Sequence, residues 1–164
     1  MASRNLPRGF GFWHPVCLIS TCFGIGLLPG APGTFASFAA LPLGWTVLRH
    51  WGPGGLAIFG GAVFLVGLWA STIYVRRTRE RDPQSVVIDE VAAQLLVLSA
   101  APLDWPYFLL GCLLFRLADI LKPWPASWAD QRVHGGLGVM LDDLLAAPYA
   151  WATLYGIALL LRTT

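Results

Sequence analysis

Residues 54–75, GGLAIFGGAVFLVGLWASTIYV, run for 22 positions without a charge. As a helix rising about 1.5 Å per residue they reach roughly 33 Å, against a bilayer hydrocarbon core of about 30 Å. Within hydrocarbon each backbone N–H and C=O must find a partner inside the segment, so such a run folds as a helix among other helices. The remaining sequence agrees. It is 56% hydrophobic and only 12% charged, about half the charge of a soluble domain. Eight Trp and four Tyr suit segment ends at the headgroup level. The sequence predicts an all-α fold and a single membrane-embedded domain, residues 1–164. We expect a polytopic integral membrane bundle of about five crossing helices, the first kinked or partly re-entrant.

Further segments follow from punctuation. Residues 14–28 are apolar but short, and PGAPGT at 29–34 breaks them, which predicts a re-entrant or half-buried piece. Residues 35–51 are long enough to cross, with Pro42 expected to kink them. After RRTRERDPQS come a run at about 85–103, the tight link PLDWP and a returning run at 107–122. Residues 123–138 are expected to lie along the interface, and 139–161 to cross again. No signal peptide is expected, because the start has no apolar core followed by a small-residue cleavage site. Cys17, Cys22 and Cys112 all sit in apolar runs and form no CxxC pair, which argues against zinc or a disulfide framework. A net charge of +2 and the lack of a basic patch interleaved with aromatics exclude nucleic acid as a partner.

Charge placement sets the expected topology. With these crossings, Arg4, Arg8, the arginines of RRTRER, Arg116, Lys122 and Arg132 fall on one side, and only Arg49 and Arg162 on the other. The positive-inside rule then puts the first side in the cytoplasm. Eight of the nine acids gather at that side: Glu80, Asp82, Asp89, Glu90, Asp119, Asp130, Asp142 and Asp143. Each acidic doublet opens an apolar run, so either alone reads as a helix cap complementing the macrodipole. Together they converge on one face, and oxygen-only donors suit a hard cation such as Mg²⁺. Arg116, Asp119 and Lys122 fall at i, i+3 and i+6 of one helix, two cations around a carboxylate, suited to holding a phosphate. PGAPGT offers a helix start with the Thr34 hydroxyl, and HGGLG another, where the dipole favours an anion. Metal, phosphate and membrane together point to phosphoryl chemistry on a lipid headgroup.

Three stretches, FGIGLLPGAPGTFASFAALP, VVIDEVAAQL and FRLADILKPWPASWADQRVHGGLGVMLDDLLAA, resemble the phosphatidylglycerophosphatase A family, from about Trp13 to Tyr149. The resemblance implies Mg²⁺-dependent hydrolysis of phosphatidylglycerophosphate to phosphatidylglycerol and inorganic phosphate in the bacterial inner membrane. With the topology read from the charges, we expect a multi-pass protein with its site on the cytoplasmic side. By position the family's motifs fall on Asp89-Glu90, on Arg116, Asp119 and Lys122, and on Asp142-Asp143; we expect Asp89, Glu90, Asp119, Asp142 and Asp143 to be catalytic, with Asp89, Glu90, Asp142 and Asp143, alone or with Asp119, holding one or two Mg²⁺ ions. Thr34, Arg116, Lys122, Asp130 and His134 fall in its substrate-binding blocks. The sequence departs from the family at Ala36, Ala93 and Ala147, where glycine is usual, and at Gln131, where arginine is.

Rival phosphatases and phosphotransferases require histidine-nucleophile, spaced-aspartate or DxDx signatures that this sequence does not carry. A transporter with acids along a pathway is the alternative class. It calls for polar residues at mid-membrane, where only Gln94 stands. Two chemical routes stay open at this stage: a carboxylate activating water, or a carboxylate attacking phosphorus itself.

Overall fold

The structure is a computed structural model that describes residues 6, 7 and 9–162, with the backbone alone for Arg162. Arg4 and Arg8, counted above on the basic side, lie outside the described residues. The described residues form helices and connecting turns. In chain order these are α1 (Pro15–Ser20), a 3₁₀ turn (Ile25–Leu27), α2 (Pro32–Thr78), α3 (Ile88–Leu98), α4 (Trp105–Leu121), α5 (Ala126–Arg132) and α6 (Gly136–Arg162).

α2 is two helices joined at one residue. Gly52 has φ 69° and ψ −176°, a conformation open almost only to glycine. Pro53 after it supplies no N–H and pushes the preceding residue out of the helical region. The two arms run in opposite directions along α3. Gly33 lies against Glu90 and Gly44 against Leu98, whereas Gly60 lies against Leu96 and Gly67 against Ile88. The expected crossings on either side of residue 52 are these arms. The break in α2 falls not at Pro42, where the backbone stays helical, but at Gly52, the one non-helical residue inside it. Pro42 costs the first arm one backbone hydrogen bond without ending it.

α3 corrects a second expectation. The apolar run 85–103 holds only 11 helical residues, about 16 Å of helix, too short for the hydrocarbon core. Nine of them are buried, including Asp89 and Gln94. A helix apolar all round is equally at home inside a protein, and α3 is the central post against which both α2 arms, α4 and α6 pack. Two helices, Pro32–Thr78 and Gly136–Leu161, are long and apolar enough to cross a membrane. Large apolar side chains stand exposed on α2, α4 and α6, among them Ile58, Leu65, Leu113 and Leu160.

The packing gives the bundle two distinct ends. One collects the starts of α2, α3 and α6 and the finish of α4. The other carries the Gly52 hinge and a stack of Trp45 on Trp105, with centroids 4.6 Å apart and Phe108 edge-on. α1, with six residues, does not span anything, as the break at 29–34 foretold.

Candidate active site

The acidic doublet of α3 occupies its first turn, and α6 brings Asp143 to it. One oxygen from each of Asp89, Glu90 and Asp143 lies within 4.8 Å of the others. Asp89 is 8% and Asp143 4% exposed. Asp89 Oδ1, Glu90 Oε2 and Asp143 Oδ2 are buried and accept no hydrogen bond. Three carboxylates this close and this dry repel one another strongly unless a cation sits among them. Unsatisfied, converging and all oxygen, the trio fits a hard divalent ion.

Around the trio stand cations and a helix start. Arg116 Nη1 pairs with Asp119 Oδ2 at 2.9 Å and faces Glu90 Oε1 at 3.9 Å. Lys122 donates to Asp130 Oδ1 at 2.7 Å and also to Asp142 Oδ2. Burial draws the Lys122 ammonium down, but the bonds to Asp130 and Asp142 outweigh it and hold its pKa above the usual lysine range. Gly33, at the beginning of α2, is buried where a Cβ would overlap Glu90 Oε1, so glycine alone admits the carboxylate there. No side chain caps α2, which leaves the N–H groups of its first turn without intrahelical acceptors. Apart from Asp130, these groups share one cavity of about 300 Å³, whose wall also includes Asp82 and Gln84 from the α2–α3 loop.

The family model for phosphatidylglycerophosphatase A matches residues 18–158. The chain belongs to the phosphatidylglycerophosphatase A family. It is 35% identical to a phosphatidylglycerophosphatase A of Haemophilus influenzae over 96% of this chain and 97% of that one. It is likewise 35% identical to a phosphatidylglycerophosphatase A of Escherichia coli, over 87% of this chain and 81% of that one. No solved structure matches.

As a phosphatidylglycerophosphatase A family member, the chain brings most of its sequence-marked residues together, in a different grouping from that expected. Asp89, Glu90, Asp119, Asp142, Asp143, Arg116 and Lys122 all line the cavity. Asp142, expected on the metal, stands outside the trio and pairs with Lys122 instead, because adjacent residues of a helix point about 100° apart. Lys122 is not on the helical face of Arg116 and Asp119. It is the C-cap of α4, at φ 43°, and the left-handed turn swings it towards α5 and α6. Asp130 holds Lys122 from the rim and does not line the cavity. Thr34 and His134 do not line it either. At the α2 start the wall is Pro32 and Gly33, and the exposed His134 places Nδ1 2.9 Å from Arg132 O. Asp82 is the carboxylate that sequence reading counted at this end without giving it a place in the site; its Asp-Pro step signalled only a turn. Ala36, Ala93 and Ala147, at the family's usual glycine positions, are accommodated inside the core.

Proposed function

We propose that this protein is a Mg²⁺-dependent lipid phosphatase that hydrolyses phosphatidylglycerophosphate to phosphatidylglycerol and inorganic phosphate. The observation that carries the reading is the cluster of Asp89, Glu90 and Asp143, each with a buried oxygen that accepts no hydrogen bond, beside Arg116, Lys122 and an uncapped helix start, in a chain of this family. Asp89, Glu90 and Asp143 would hold the ion, which when bound supplies Lewis-acid stabilisation of the phosphoryl oxygens. Arg116, Lys122 and the first-turn N–H groups of α2 bind the phosphate and balance its charge. Asp119 orients Arg116, and Asp130 orients Lys122. Asp142 keeps Oδ1 buried and free of hydrogen bonds, and it takes the proton of the attacking water. The bond from water oxygen to phosphorus forms as the phosphorus–glycerol oxygen bond breaks, and the proton taken by Asp142 passes to the departing glycerol oxygen.

The setting we propose is the bacterial inner membrane, with the protein multi-pass and the site at the cytoplasmic face. The α2 arms, α4 and α6 face lipid there, and α3 is a short fifth member enclosed by them. Support comes from the exposed apolar side chains of those helices and from Arg76 and Arg77, which close α2 at the site end as the positive-inside rule requires.

The test is phosphate release from phosphatidylglycerophosphate by the purified protein in detergent micelles. Release supports the phosphatase. A transporter releases none.

A further inference from the structure

A second cavity lies on the other side of α3's first turn. It measures about 440 Å³ and opens between the two arms of α2 and the turn that follows α1. Ile88 and Val91 form its inner wall, and the intervening Asp89 and Glu90 line the acidic cavity. Residues three apart share a helix face and the two between them take the other, so one helical turn separates the two hollows. Small side chains leave the space: Ala39 and Ala40 on the first arm look across to Ala62 on the second. Except for the Cys22 thiol, 3.7 Å from Val87 O, the lining is hydrocarbon. At the rim, Cys22 and Phe23 have φ of 47° and 57°, a region that residues with side chains occupy only where their surroundings hold them. Phe23 is 80% exposed. The hollow offers an occupant no hydrogen bond and no charge. Only the turn that bears Asp89 and Glu90 stands between it and the phosphate site.

We propose that this groove seats one acyl chain of the phospholipid whose terminal phosphate enters the acidic cavity; the proposal rests on the lipid-phosphatase reading above. Two glycerols and a phosphodiester separate that phosphate from the acyl esters. The linker is long enough to pass a helical turn with its side chains, about 10–12 Å across. The groove therefore contributes to KM through chain length, and the acidic cavity sets kcat.

Ala39→Trp and Ala62→Trp test this, because both residues line the groove yet are exposed, so the added rings fill it from the rim. Ala152→Trp, an exposed position at a different cavity, is the control. Phosphate release is measured on long-chain and on short-chain, water-soluble phosphatidylglycerophosphate. The expected result is a KM for the long-chain substrate at least roughly tenfold higher in both groove variants, what losing about two buried methylenes amounts to. The short-chain KM, both kcat values and the control stay unchanged. An unaltered long-chain KM, or equal changes on both substrates, overturns the groove and leaves the phosphatase standing. No release by the native protein from either substrate removes the phosphatase reading and the groove with it.

Discussion

Asp89 of α3 and Asp143 of α6, from distant parts of the chain, bring carboxylate oxygens within 4.8 Å of each other in the interior of the bundle. Asp89 stands in the first turn of α3, where an acid complements the macrodipole equally well from solvent, whereas Asp143 lies about two turns into α6 and, against the sequence expectation, caps nothing. Their shared burial is what the proposed Mg²⁺ site requires of both.

Removing one charge from the trio should separate stability from function. In chelator, Asp143→Asn relieves repulsion, and its melting temperature should exceed that of the native protein. With Mg²⁺ the native protein gains stability through ligand linkage and the variant gains little. Thermal melts with and without the ion check this. Phosphate release by Asp89→Asn, Glu90→Gln and Asp143→Asn should fall at least about a hundredfold, the scale of losing one transition-state electrostatic contact.

Asp142→Asn should behave differently. Its carboxylate stands with Lys122 rather than in the trio, so the variant keeps its Mg²⁺-dependent melting shift while kcat falls by about a hundredfold or more, the weight of a general base. Loss of the melting shift in Asp142→Asn would return this residue to the metal.

Lys122 and Asp130 form an asymmetric pair. Lys122→Met removes a phosphate ligand and should nearly abolish turnover. Asp130 is a half-exposed partner, with 42% of its side chain accessible, and exposed ion pairs are worth about 0.2–1 kcal/mol. Asp130→Asn should therefore cost no more than about fivefold in kcat/KM. A loss as deep as that of Lys122→Met would put Asp130 in contact with substrate.

Gly33→Ala places a methyl onto Glu90 Oε1, with Arg116 Nη1 only 3.2 Å away. Either Glu90 or Arg116 must shift, and misplaced catalytic geometry is costly at sub-ångström scale. Turnover should fall by roughly tenfold or more while the protein folds. His50→Ala, at the opposite end and hydrogen-bonded to Thr46 O, should stay within about twofold, as surface changes do.

Much of this was legible in the sequence. Apolar runs located both arms of α2 and most of α6, and charge asymmetry brought the two acidic doublets to one end before any fold was known. What escaped was local. The apolar run around α3 could not announce that its neighbours would be protein on every side, because hydropathy does not distinguish lipid from a buried interior. Asp142 and Asp143 are adjacent letters, and only the rotation of α6 decides which one meets Asp89. Lys122 at i+6 from Arg116 matched a helical face, but the helix ends one residue earlier and the left-handed cap redirects the side chain. Asp82 lies in a loop, where no periodicity tells which way a carboxylate faces.

The proposed chemistry depends on the ion. Phosphate release from phosphatidylglycerophosphate should be followed as divalent metal is stripped from the purified native protein and Mg²⁺ is then returned. Release should cease on stripping and recover on addition of Mg²⁺, with no recovery in Asp143→Asn. Undiminished release from the metal-free protein would contradict it.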